Sequence, residues 1–230
     1  MNVSKELLVI RELLNLTQEE LSKKLDVSFE TINRWELEKH DVETRNVEKI
    51  YNFAYSNGIF LNSIYEQLLI EEYNHNHIKV LFHGCKLDCL SFPIDLNHSK
   101  ATNDFGKGFY LGENFKQAST YISNSSNSNV YVFSLDTKDL NIYKFDVTIE
   151  WMIAIAYYRG GLNKYSSSKY LQSIIKEIEK KDVIIAPISD NKMFDIIAEF
   201  TRGEITDLQC EHALAATNLG NQYVLRDNHW

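Results

Sequence analysis

The chain has 230 residues, enough for one large domain or two small ones. Hydrophobic residues make up 44% and Pro only two positions, which excludes a disordered chain, while the lack of any run of about 18 apolar residues excludes a membrane helix. The formal net charge of −8 excludes a global electrostatic footprint for nucleic acid.

Residues 1–70 read as consecutive short helices. Leu7, Ile10 and Leu14 recur at helical spacing. Thr17 and Glu20 form a capping box that opens a second helix with Leu21 and Leu25 on its apolar stripe. Asp26 takes the left-handed turn position, and Ser28 caps a third helix running through Trp35. A fourth helix is expected near 44–56 and a fifth near 60–70, before a polar linker at 71–77. The pattern then changes. Short β-prone runs lie at 78–82, 130–133, 141–145, 183–186 and 223–225. Between them, helical stretches are expected near 113–122, 148–158, 167–180, 190–201 and 205–216, with a low-complexity loop tip at 123–129. The expected fold is an all-α helix-turn-helix domain over 1–70, the linker, then an α+β domain over 78–230.

The N-terminus lacks the uninterrupted apolar core of a signal peptide, so a cytoplasmic protein is expected. Cys85 and Cys89 are spaced C-x3-C and Cys210 stands far away, without further ligands at sensible spacing. No metal site is expected, and all three read as reduced structural cysteines. His75, His77, His98, His212 and His229 read as solvent-facing.

The string LTQEELSKKLDVSFETINRWE at 16–36 resembles the lambda-repressor-like, Xre-type helix-turn-helix family, with Asp26 where Gly is common. Two helices at a fixed angle would place the second in the major groove. Val27 and Ile32 would lock the turn and Trp35 would fill the small core. Ser28, Phe29, Glu30 and Thr31 would then face base edges: Glu30 could accept from cytosine N4, and Phe29 or the Thr31 methyl could touch a thymine methyl. Gln18 and Asn33 could donate to phosphates. Against this, eight Lys and Arg in residues 1–70 face twelve Asp and Glu. DNA binding would therefore be weak or dependent on a homodimer, and a protein-interaction role stays open.

Three later segments carry a second pattern: LFHG at 81–84, DFGKGFYL at 104–111 followed by Gln117, Ala118 and Tyr121, and NQYVL at 221–225. Glycines at 106 and 108 permit close backbone approach to a ligand. These strings resemble the diphtheria-toxin-like and poly(ADP-ribose) polymerase-like transferases, and a bacterial family of small cytosolic proteins with that fold. The resemblance implies an ADP-ribosyltransferase-like domain with split antiparallel sheets and NAD as substrate. It implies that His83 bonds the adenosine-side ribose, that the Gly84 backbone grips the carboxamide, with Gly108 also in the cofactor site, and that Tyr110 and Tyr121 sandwich the nicotinamide. Gln222 would take the third catalytic position, with His83 and Tyr110, where the family has Glu. Ala118 stands where a carboxamide-binding Ser is usual.

A neutral Gln222 can orient a hydroxyl but cannot act as a base. Chain elongation is therefore not expected, and Glu211 is a candidate substitute carboxylate. The leading expectation is an NAD-dependent mono-ADP-ribosyltransferase, or NAD glycohydrolase, carrying a DNA-binding module and acting on an unidentified acceptor. A toxin-like or stress-linked role rests on the resemblance alone. The rivals are a transcriptional regulator whose degenerate domain binds NAD or a related nucleotide without catalysis, and an interaction adaptor with neither chemistry.

Overall fold

A computed structural model of the chain describes residues 3–86, 90, 92–96, 99–125, 127–188, 191–215 and 219–226. The expectations for Cys89, His98 and His229 fall outside them. The chain divides into two compact units, Met1–Leu69 and Ile70–Trp230.

The first unit is helical: α1 (Val3–Leu14), α2 (Gln18–Leu25), α3 (Phe29–Glu36), α4 (Thr44–Ser56) and the start of α5 (Leu61–Tyr73). Its local signals work as written. The Thr17 hydroxyl accepts from the Glu20 amide while the Glu20 carboxylate accepts from the Thr17 amide, closing the capping box. Asp26 sits at φ 53°, turning the chain left-handed out of α2, and Ser28 caps α3 on the Thr31 amide. The turn delivers Ile32 and Trp35 into a core with Leu7, Ile10, Leu21, Leu25 and Ile50, against which Val27 packs. Residues 71–73, expected as linker, instead close α5. They follow an apolar stretch (LLI at 68–70) that lets the helix run on.

The second unit contains β1 (Ile78–Lys86), β2 (Phe109–Gly112), α6 (Phe115–Ile122), β3 (Ser128–Asp136), β4 (Ile142–Lys144) and α7 (Ile149–Tyr158). It continues through α8 (Lys169–Glu179), β5 (Val183–Pro187), α9 (Asn191–Arg202), α10 (Asp207–Ala215) and β6 (Asn221–Leu225). The strands form one six-stranded sheet in the order β3-β1-β2-β6-β5-β4. This corrects the expected split sheets. The two parts, β3–β1 and β2–β6–β5–β4, are joined at a single registered pair, Phe82↔Gly112. The sheet is also not purely antiparallel, because β4 runs parallel to β5. β1 extends beyond 78–82 to Lys86, since β3 pairs with it along its whole length, from Ile78↔Asp136 to Lys86↔Ser128. That pairing likewise draws residues 128–129 out of the expected loop.

Alternation along the strands sends side chains to two cores. One holds Trp151, Ile155, Ile175 and Ile178 from the helices with Ile184 and Val224 from the sheet. Leu171, Ile174, Ile175 and Ile178 give α8 the i, i+3, i+4, i+7 stripe that fits this face. The other core holds Leu81, Phe109, Leu111, Leu135 and Leu225. Two cysteines differ from one another: Cys210 is free and buried, with Sγ 3.0 Å from Met152 Sδ. Cys85, read as reduced, is disulfide-bonded. His75, His77 and His212 are exposed. Among the described residues, no helix is long and apolar enough to cross a membrane.

Candidate functional site

The site lies where β1 and β2 part. Beyond Phe82↔Gly112 the ladder between them stops, and the His83 ring takes over, with Nδ1 2.8 Å from the Tyr110 carbonyl oxygen. That carbonyl can only accept, so Nδ1 carries the hydrogen and Nε2 is left as an acceptor. Burial holds the His83 pKa below the ordinary 6.5, more strongly than the carbonyl contact raises it, so the ring is neutral at pH 7. Phe109 supports it, ring centroids 4.5 Å apart.

At this seam a cavity of about 630 Å³ opens, and its walls gather His83, Gly84, Gly108, Tyr110, Tyr121 and Gln222 from four separate stretches of chain. The six residues that the resemblance singled out are thus brought together. Their roles in the fold differ from those expected in several respects.

The glycines serve packing. A Cβ on Gly84 would lie 2.2 Å from the Ala118 carbonyl oxygen, so α6 can cross β1 only at a glycine. A Cβ on Gly108 would strike Val224 and the Leu225 carbonyl, and the Gly108 amide already donates to Ser99 Oγ at 2.8 Å. The space expected for ligand approach at Gly108 is therefore occupied by β6. Gly106 has φ 74°, with Tyr158 ring atoms 3.0 Å from where its Cβ would stand. The loop between these glycines holds Tyr110 in place: its hydroxyl donates to the Gly106 carbonyl at 2.8 Å and accepts from the Phe105 amide at 3.1 Å. Burial, foremost, raises the Tyr110 pKa, and this phenol stays protonated. Tyr121 is not held in this way. It is 71% exposed, with Lys86 Nζ 5.3 Å from its ring centroid, so of the expected sandwich only the Tyr110 side is a fixed wall.

Gln222 is 7% exposed, in mid-sheet, paired with Gly112 on one side and Ala186 on the other. Its Nε2 donates to Asp104 Oδ2 at 2.9 Å and to the Pro187 carbonyl at 3.2 Å. Asp104 in turn accepts from Arg159 Nε at 3.1 Å and Nη2 at 2.5 Å, both on Oδ1. Arg159 caps the end of α7, its guanidinium 3.2 Å over the Phe194 ring. Asp104 also lines the cavity, and it is the carboxylate that sequence reading missed. It stood in the quoted DFGKGFYL string, but nothing local marks it, because its partners lie 55 and 118 residues away. Glu211, the candidate substitute, is absent from the cavity wall among the described residues. Nor, among those residues, does any group of three or more His, Cys, Asp or Glu side chains stand ready to hold a metal ion.

In the helical unit, Ser28, Phe29 and Glu30 are exposed at the tip of α3, with Thr31 and Asn33 half-buried behind them. Ser28 Oγ lies 3.1 Å from Thr31 Oγ1, so these two hydroxyls partly satisfy each other. Glu30 is held below its ordinary pKa by backbone and Ser28 hydrogen bonds and is ionised at pH 7. Gln18 is only half-exposed, and its Nε2 donates to Glu36 Oε2 at 2.6 Å. Glu36 is also gripped by Arg11, at 2.6 Å and 3.0 Å. One Gln18 N–H thus remains for a phosphate.

Residues 79–229, well over half the chain, match the family described as "Protein of unknown function (DUF3990)". The chain belongs to that family. Residues 7–52 match the helix-turn-helix family, which supports a DNA-binding regulator role for the first unit. No curated protein and no solved structure matches the chain.

Proposed function

We propose that the second unit binds NAD at the seam between β1 and β2 and acts on its nicotinamide–ribose bond as a mono-ADP-ribosyltransferase or glycohydrolase, in a chain whose helix-turn-helix unit engages DNA. The observation that carries this reading is the single cavity, of about 630 Å³, that draws His83, Gly84, Tyr110, Tyr121 and Gln222 together. Its volume suits a ligand of this size.

Within it, Tyr110 forms a fixed aromatic wall for a flat ring. Neutral His83 offers Nε2 to a ribose hydroxyl. Gln222 offers its carbonyl oxygen to a second hydroxyl, and Asp104 sets a negative charge near the carbon that becomes oxocarbenium-like as nicotinamide leaves with the bonding pair. Water or an acceptor then attacks that carbon and loses a proton.

One observation favours a second reading, nucleotide sensing without cleavage. Arg159 already neutralises Asp104, so no unpaired carboxylate stands beside Gln222. Nicotinamide release and calorimetric NAD binding, measured on the full chain and on Tyr110→Ala, separate the two. Release that disappears in Tyr110→Ala supports the enzyme. Binding without release supports the sensor, and the absence of both overturns the NAD reading.

The DNA claim is tested apart, by gel shift on the protein's own promoter. A shift at low salt that weakens in Asn33→Ala supports it, and no shift overturns it.

A further inference from the structure

The direction in which the Gln222 amide points is set by its neighbours. Its outer atom faces Asp104 Oδ2 at 2.9 Å and the Pro187 carbonyl at 3.2 Å. A carbonyl cannot donate. The Asp104 carboxylate, which accepts two hydrogens from Arg159, cannot donate either. Turning the amide over would set its oxygen against two acceptors, so the nitrogen must face them. Both N–H groups are then spent, and Gln222 has nothing left to donate. Gln222 lines the cavity, and its Oε1 takes no hydrogen bond among the described residues.

We propose that Asp104, anchored by Arg159, is a positioning residue that fixes Gln222 as a pure acceptor, so that the cavity selects at this point a ligand group that donates, a sugar hydroxyl, and discriminates against a ligand lacking it. The inference rests on the reading of the cavity as an NAD site and adds how one of its contacts is chosen. It also accounts for the amide at 222. A carboxylate there would stand at hydrogen-bond distance from Asp104, and two such charges cannot both be ionised without cost. Positions 104 and 222 are therefore a complementary pair, one acceptor and one donor, and the Arg159 pair keeps the polarity from reversing.

The experiment measures Kd by calorimetry for NAD and for NAD analogues deoxygenated at the nicotinamide ribose, on the full chain. For the unmodified protein, the best-contacted hydroxyl is expected to be worth about tenfold in affinity, the value of one hydrogen bond. In Asp104→Asn, Arg159 still holds the side-chain oxygen and turns an N–H group towards Gln222 Nε2, so only the Pro187 carbonyl is left to hold the amide as it is, and that ratio should fall. A merely structural loss would weaken NAD and its analogue alike and leave the ratio unchanged.

The polarity-reversed pair guards against a variant that fails to fold. Gln222→Glu alone should lower Tm and NAD affinity, and adding Asp104→Asn should recover part of both, because the new amide donates to the new carboxylate. Recovery is partial, since the Pro187 carbonyl loses its donor. An unchanged ratio in Asp104→Asn, or a double variant no better than Gln222→Glu, overturns the inference while leaving NAD binding standing. Failure of the unmodified protein to bind NAD removes the functional reading and this inference with it.

Discussion

The two units carry the same three-part device. In the helical unit Arg11 grips Glu36, which accepts from Gln18; in the second unit Arg159 grips Asp104, which accepts from Gln222. In both, an arginine-held carboxylate decides which way a glutamine amide faces. The consequences differ by one contact. Gln18 gives one N–H to Glu36 and keeps the other, so it can still donate to a phosphate. Gln222 gives its second N–H to the Pro187 carbonyl and becomes an acceptor only. The same residue type, held in the same way, is thus prepared for opposite ligand chemistry, and the deciding atom is a neighbouring backbone carbonyl.

The sharpest way to separate the units is Gly84→Ala. The added Cβ meets the α6 backbone at 2.2 Å, where no side chain can swing aside. It should destabilise the second unit by about 3 kcal/mol or more, with the helical unit's transition unmoved in thermal unfolding. A common shift of both transitions would show that the units do not unfold separately.

Glu36→Ala attacks the first device. It strips Arg11 and Gln18 of their acceptor at a side chain only 5% exposed, and should cost about 3 kcal/mol in denaturant unfolding of the helical unit. Asp104→Ala attacks the second. Arg159 is 37% exposed and can turn to water, so a smaller loss, about 2 kcal/mol, is expected for the second unit. A larger loss from Asp104→Ala than from Glu36→Ala would mean that Gln222, not the arginine, carries the cost.

The smallest effect is one of pH. Because the folded-state pKa of His83 lies below 6.5, the unfolded chain takes up a proton that the folded chain refuses. The contribution to stability is intact above pH 6.5 and is lost as pH falls below it. His83→Gln should flatten that part of the stability curve for the second unit, and an unchanged slope would place the ring in contact with water.

Much of the fold was legible because its signals are local. The capping box at Thr17, the left-handed Asp26 and the cap at Ser28 each act within four residues, and the helix-turn-helix followed from them. The stripe of α8 needs only its own period. The site was legible in part. Strings around His83, Tyr110 and Gln222 named the residues that now line one cavity, yet they could not say that Gly108 would be filled by β6 or that Tyr121 would stand exposed.

By itself, then, the sequence determined most of the segments that are helix or strand, though β2 was not among its β-prone runs, and its resemblance named residues that line one cavity. Periodicity, caps and turns are short-range physics, complete within a window of a few residues. Only the tertiary structure decided that the two halves of the sheet join at one pair, that Asp104 belongs to the site, and which way Gln222 faces. Those depend on contacts between residues 30 to 118 positions apart, and on a carbonyl at Pro187 that carries no mark in the sequence.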